Sequence, residues 1–163
     1  MNLKKYIRSI SDYPKKGILF RDITTLIKNE NAFAETIDQI VERSEKFNFK
    51  KIAAIESRGF VFASAVSYIL KKPLIMLRKK NKLPADVHSI DFKLEYGTAT
   101  IEIHKDSIKK NEDVLIIDDL IATGGTAEAA AKLIEISNGK VAAFIFVINL
   151  FDLGGSDNLI KKN

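Results

Sequence analysis

Val114-Leu115-Ile116-Ile117-Asp118-Asp119-Leu120-Ile121-Ala122-Thr123-Gly124-Gly125-Thr126 joins an apolar run to two adjacent carboxylates and then to a loop short of side-chain bulk. The continuously apolar 114–117 segment predicts a strand covered on both faces of a parallel sheet. Helical residues follow over 127–137, and Asn138-Gly139 supplies a good left-handed stop. That order of parts suits a sugar phosphate. Carboxylates accept hydrogen bonds from vicinal hydroxyls, and a loop with little side-chain bulk can turn several backbone N–H groups onto a phosphate. The positive end of the following helix acts on the same anion. A P-loop would place a lysine after its glycines, but Gly124-Gly125 runs into Thr126-Ala127, and no Gly-x-Gly-x-x-Gly fingerprint is present.

Outward from this segment, strand and helix signals alternate. Residues 51–55, 73–77 and 141–148 predict strands, and 60–70 predicts a helix. A further helix is expected over 31–47, with Phe33, Ile37, Ile40 and Val41 at helical spacing. A short amphipathic helix is expected over 2–10, with Leu3, Tyr6, Ile7 and Ile10 on one face. Residues 79–97 show little periodicity, which predicts a long loop of the kind that serves as a lid. Residues 98–104 alternate, placing Ala99, Ile101 and Ile103 towards the core and Thr100 and Glu102 towards water. The pattern predicts an α/β domain: a mostly parallel twisted sheet flanked by helices. In such sheets ligands lie beyond the carboxyl ends of strands, near a topological switch point, and Asp118-Asp119 occupy such an end.

The 163 residues fit one domain, and 46% apolar with 29% charged residues is a soluble globular composition. Absence of cysteine excludes disulfide and thiol chemistry and suits a reducing cytoplasm. The first ten residues carry lysines without an apolar stretch, so no leader is expected. The longest apolar run, 141–150, is too short to span a bilayer as a helix. The net charge of +5 comes mostly from scattered or paired lysines without interleaved aromatics, so neither nucleic acid nor membrane is expected as a partner.

Three further segments carry candidate chemistry. Glu56-Ser57-Arg58-Gly59 turns from a strand into a helix, and an arginine beside a glycine at such a corner can meet a phosphate. Arg78-Lys79-Lys80-Asn81-Lys82 lies at the mouth of the expected lid, where cations would follow charge onto a leaving pyrophosphate. Leu94-Glu95-Tyr96-Gly97 closes the lid; its glutamate has no meaning from the residues alone.

Together these stretches resemble the type I phosphoribosyltransferases. Gly17-Ile18-Leu19-Phe20-Arg21-Asp22, Leu94-Glu95-Tyr96-Gly97 and 149–155 make the chain similar to the adenine-specific branch over nearly its whole length. The resemblance implies transfer of 5-phosphoribosyl from 5-phosphoribosyl 1-diphosphate to adenine, giving AMP and pyrophosphate with Mg²⁺, in cytoplasmic purine salvage by a homodimer. It implies one domain over 1–163, with a small N-terminal hood over about 1–30 and a flexible lid over about 79–98. It puts the 5′-phosphate on Ala122, Thr123, Gly124, Gly125 and Thr126, and the ribose hydroxyls, with Mg²⁺, on Asp118 and Asp119. Pyrophosphate would meet Glu56, Ser57, Arg58, Arg78, Lys79 and Lys82. Adenine would meet the backbone of Leu19 and Arg21 and the ring of Phe20. Glu95 and Arg58 are the implied catalytic residues, with Glu95 as proton acceptor or stabiliser at the purine imidazole nitrogen.

Two departures stand out. Asn81 sits where the family usually has a hinge glycine, although asparagine tolerates a left-handed backbone. The sequence stops at Asn163, after a short helix expected from near Gly155, where relatives continue into a further strand and tail. An incomplete sheet edge or hood is therefore expected. The competing functions are transfer to another purine base and a non-catalytic regulator that senses ribosyl diphosphate.

Overall fold

The computed structural model describes residues 1–94 and 97–162. Two compact units partition the chain, Met1–Arg43 and Ser44–Asn163.

The first unit begins with a 3₁₀ turn, Leu3–Tyr6, and two strands, β1 (Arg8–Ser11) and β2 (Leu19–Asp22), paired antiparallel with Arg8 opposite Asp22. The helix expected over 2–10 is therefore replaced by a turn and a strand. Cross-strand partners outweigh the local helical spacing: Arg8 Nε donates to Asp22 Oδ2 at 3.0 Å, and the Arg21 guanidinium donates to the Ser9 hydroxyl. Asp22 also accepts the Thr24 N–H at 2.9 Å, which starts α1 (Thr24–Ile27). The Thr24 amide and Arg8 hold its carboxyl down at a pKa of about 2. Next comes α2 (Glu30–Ser44), capped by Asn29, whose side chain accepts from Ala32 N–H at 2.9 Å. Ile37 and Ile40 are buried along it, as the spacing predicts.

In the second unit β3 (Lys51–Ile55), α3 (Arg58–Leu70) and β4 (Leu74–Lys79) are followed by β5 (Val87–Leu94) and β6 (Gly97–His104). Then come β7 (Asp113–Ile121), α4 (Gly125–Ile136), β8 (Lys140–Asn149) and α5 (Gly155–Lys162). The six strands lie in the order β5-β6-β4-β3-β7-β8. Pairs β4–β3, β3–β7 and β7–β8 are parallel, while β5 and β6 form an antiparallel edge. Val114, Leu115, Ile116 and Ile117 are fully buried, as their unbroken apolarity requires. On one face Ile55, Leu77, Ile103 and Ile116 pack with Leu133 and Ile134 of α4. By strand alternation Ile52, Leu115 and Ile117 point to the other face, and the buried Phe62, Ala63 and Val66 of α3 contribute there. Asn138 is left-handed at φ +64°, ending α4 where expected. No helix among the described residues is long and apolar enough to cross a membrane.

Two expectations are corrected here. The aperiodic loop expected over 79–97 is strand along 87–94, because His88, Ile90, Phe92 and Leu94 alternate with Ser89, Asp91 and Lys93. Ile90 and Phe92 pack against the core cluster. Glu102, expected to face water, is buried at 4% exposure, accepting hydrogen bonds from Asn81 N–H and the Ser89 hydroxyl.

Candidate active site

From β3 the chain moves outward to β4, then returns to place β7 on the other side of β3. The carboxyl ends of β3 and β7 thus flank the switch point, where an open α/β sheet leaves a crevice. A cavity of about 370 Å³ opens there, and Glu56, Ser57, Arg58, Lys79, Asp118, Asp119 and the whole 122–126 loop border it. Ile55, Leu120, Ile121, Ala127 and Phe146 complete the wall.

The two acids are not at the tip of a short strand. β7 runs on to Ile121, so Asp118 and Asp119 belong to the ladder and are 9% and 3% exposed. Asp118 Oδ1 accepts the Asp119 N–H at 2.9 Å. Asp119 Oδ2 lies 3.0 Å from Arg58 Nε but has no aligned hydrogen bond among the described residues. Desolvation by burial and the neighbouring Asp119 charge push the Asp118 carboxyl up to about 8. Burial raises Asp119 as well, against the pull of Arg58. Such a pair binds a proton more readily than ordinary carboxylates do, and hydroxyl donors or a cation would favour its ionised form.

Two glycines set the geometry around these acids. A Cβ on Gly59, in the first turn of α3, would lie 2.7 Å from Asp118 Oδ1 and 3.0 Å from the Ile117 carbonyl oxygen. Only a residue without a side chain lets the α3 N-terminus, with Arg58, close onto β7. Beneath the 122–126 loop, Gly155 donates its N–H to the Ala122 carbonyl at 3.0 Å, and a Cβ there would lie 2.3 Å from that oxygen. The loop ends in Gly124, left-handed at φ +93°, and passes into α4 with no side-chain cap. First-turn amides of a helix have no acceptor inside it, so these N–H groups and the helix dipole converge on the cavity. Gly59 enters the sequence reading only as the neighbour of Arg58 at the strand-to-helix turn, and Gly155 only within the 149–155 stretch. Close backbone approach is the only signal they carry, and it exists only in three dimensions.

The basic segment is divided. Lys79 borders the cavity. Arg78 turns its guanidinium to Glu56 Oε2, at 3.3 Å, and to the Lys82 carbonyl, at 3.3 Å. Glu56 also accepts the Lys79 N–H at 2.8 Å. Burial works against ionisation of Glu56, but the Lys79 amide and Arg78 outweigh it and hold the carboxyl below its usual range. Neither Arg78 nor Lys82 lines the cavity. Leu19, Phe20 and Arg21 lie on β2 of the first unit, where the Phe20 ring meets Tyr13 edge-on with centroids 5.1 Å apart. Glu95 lies outside the described residues.

Among the described residues no cluster of three or more His, Cys, Asp or Glu could hold a metal by itself. Asp118 and Asp119 offer hard oxygen donors, one of them without a hydrogen bond, which suits Mg²⁺ shared with substrate oxygens.

The Phosphoribosyl transferase domain family matches residues 22–156. The chain is 79% identical to an adenine phosphoribosyltransferase of Pelagibacter ubique (strain HTCC1062), over 99% of this chain and 93% of that protein. The crystal structure of adenine phosphoribosyltransferase from Thermoanaerobacter pseudethanolicus superposes with a TM-score of 0.93 at 44% identity, covering 96% of this chain and 91% of that one. The adenine phosphoribosyltransferase of Saccharomyces cerevisiae, complexed with an imino-altritol bisphosphate and adenine, gives 0.89 at 33% identity, covering 95% and 90%.

Proposed function

Because this chain belongs to the adenine phosphoribosyltransferases, we infer from its own geometry which residues carry the reaction. It transfers the 5-phosphoribosyl group from 5-phosphoribosyl 1-diphosphate to adenine, giving AMP and pyrophosphate in purine salvage. One observation supports the residue assignment most strongly: two buried acids and an uncapped helix N-terminus share one cavity at the sheet's switch point.

The 122–126 loop binds the 5′-phosphate through backbone N–H groups. Asp118 and Asp119 accept from the 2′- and 3′-hydroxyls and, as carboxylates, stabilise the positive charge that grows on the sugar as its bond to pyrophosphate breaks. Lys79, with Arg58 and Ser57, faces the departing pyrophosphate. Glu56 holds Arg78 and the Lys79 backbone, because a carboxylate is a poor direct ligand for that anion. Arg78 and Lys82 act at the same end once the segment closes. Asp118 and Asp119 are the residues that would hold Mg²⁺, which would supply further neutralisation of pyrophosphate charge when bound.

The hood over about 1–30 receives adenine. Leu19 and Arg21 lie two apart on β2, a strand of a two-stranded sheet, so one of its edges offers backbone donors and acceptors outside the ladder. A carbonyl accepts from the 6-amino group, and a 6-oxopurine would leave it unpaired. Phe20 stacks on the ring. Phe20→Ala is expected to raise the KM for adenine roughly 10- to 100-fold, the worth of one stacked base. The KM for 5-phosphoribosyl 1-diphosphate should stay unchanged in the same steady-state assay; a matched rise in both would remove Phe20 from the base site. As N9 bonds to the sugar the base must shed a proton, and Glu95 takes or stabilises it. Glu95→Gln should lower kcat by about 10²-fold or more without weakening ribosyl diphosphate binding. A kcat at the wild-type level would remove it from the catalytic list.

A homodimer is supported by apolar side chains left in water on α3, where Val61 and the 85% exposed Tyr68 share a face. A cytoplasmic location suits the lack of cysteine and a multiply charged substrate that does not cross membranes. The activity itself is tested spectrophotometrically with adenine, hypoxanthine and guanine in turn. Conversion of adenine alone is expected; conversion of a 6-oxopurine at a comparable rate would overturn the base assignment.

A further inference from the structure

Glu102 is a buried carboxylate that the chemistry above leaves unused. It lies on β6 between Ile101 and Ile103, both core residues, so alternation turns it to the opposite face. It is nevertheless buried and forms no salt bridge among the described residues. Its register partner on β4 is Arg78, whose guanidinium goes to Glu56 instead. A buried charge without a cation is costly unless hydrogen bonds hold it. Both oxygens are held: Oε2 accepts the Asn81 N–H at 2.9 Å, and Oε1 accepts the Ser89 hydroxyl at 3.1 Å.

The Asn81 contact fixes a particular piece of backbone. Asn81 is left-handed at φ +63°, inside a turn closed by the Lys82 N–H on the Lys79 carbonyl at 3.3 Å. At its start the turn carries Lys79, which borders the cavity, and at its end the Lys82 carbonyl that accepts from Arg78. Glu56 grips the same segment through the Lys79 N–H. Two carboxylates, one after β3 and one on β6, thus hold the 79–82 turn by its backbone amides. Without Glu102, the left-handed residue loses the partner that offsets its strain, and the turn becomes one conformation among several. Binding an anion to it then carries the ordering cost.

We propose that Glu102 is a positioning residue for the pyrophosphate end of the substrate, holding the 79–82 turn so that Lys79 stays at the cavity. This rests on the assignment of Lys79 to pyrophosphate made above. The carboxylate reaches the ligand only through the turn, so its loss should be felt by ligands bearing pyrophosphate and not by those lacking it.

The test uses the full chain with Glu102→Ala, Glu102→Gln and Asn81→Pro. Glu102→Ala is expected to weaken calorimetric binding of 5-phosphoribosyl 1-diphosphate by about tenfold or more, as for one lost charge-assisted contact. AMP, which has the ribose 5-phosphate but no pyrophosphate, should bind unchanged. Glu102→Gln should restore most of the affinity, since its oxygen can accept from Asn81 while its NH₂ donates to Ser89. Asn81→Pro removes the amide donor and, because proline fixes φ near −65°, the left-handed turn with it, so it should reproduce the alanine effect even if Glu102→Ala does not fold. Equal losses for both ligands, wild-type binding in Asn81→Pro, or failure of glutamine to rescue a folded alanine variant would overturn the proposal. A wild-type chain that does not form AMP would instead overturn the functional reading on which it rests.

Discussion

Asp118→Asn combined with Asp119→Asn is expected to lower kcat/KM by about two to four orders of magnitude, from two charged hydrogen bonds worth roughly 1.5–3 kcal/mol each. AMP binding should weaken with it, because the product carries the same hydroxyls. A double variant turning over within tenfold of wild type would refute the ribose assignment. The single variant Asp118→Asn adds an independent readout in the unliganded protein. Its folded-state pKa, about 8, lies above the ordinary 3.8, so the folded state binds a proton that the unfolded state has released between those values. Stability from this group is therefore fully present below about pH 4 and is lost as pH rises through 8. Asparagine removes that loss while keeping an oxygen for the Asp119 N–H. Asp118→Asn should gain stability over wild type as pH rises from 5 to 9, by about 1–3 kcal/mol, since the pair titrates together and not as one isolated acid. Thermal midpoints differing equally at both pH values would place the titration elsewhere. Stability gained at high pH by Asp118→Asn, together with activity lost in the double variant, is the pattern expected of acids buried for function.

The sheet's parallel core was legible because burial on both faces leaves an unbroken apolar run, as at 114–117, and because each such run ends in turn residues. The grouping of Asp118, Asp119 and the 122–126 loop around one cavity was legible for a related reason: paired acids and a small loop directly after a buried apolar run have few other uses. What failed was context set by partners distant in sequence. Residues 2–10 carry helical spacing, yet Arg8 pairs with Asp22 and Ser9 with Arg21, and the strand wins. Glu102 alternates as a surface residue should, but Asn81 and Ser89 close over it. Along 87–94 the period-2 signal is present in the sequence; polar Ser89, Asp91 and Lys93 between the apolar residues disguised it as a loop. Arg78 shows that charge at the right place in sequence does not fix direction, since its guanidinium turns to Glu56.

Gly155→Ala is expected to weaken binding of 5-phosphoribosyl 1-diphosphate and of AMP alike, by about 10- to 100-fold, or roughly 1.4–2.8 kcal/mol. The added Cβ would lie 2.3 Å from the Ala122 carbonyl oxygen and 2.7 Å from the Gly124 nitrogen, both main-chain atoms that cannot swing aside as a side-chain tip would. The loop or the start of α5 must move by more than half an ångström, enough to misdirect amides aimed at a phosphate. Local propensity pulls the other way. Alanine at the start of a helix usually adds up to about 1 kcal/mol of stability over glycine, whereas overpacking of this kind costs about 1–3 kcal/mol. The steric cost wins, so a modest fall in the thermal midpoint should accompany the loss of phosphate affinity. Gly154→Ala separates the two effects. Its φ of +70° makes alanine strained, but a Cβ there would meet nothing within 4 Å. It should lose about 1 kcal/mol of stability and keep both ligand affinities. If Gly155→Ala bound phosphate normally while losing stability, the contact with Ala122 would be packing alone; if Gly154→Ala lost affinity equally, the loop would be responding to helix stability and not to displacement.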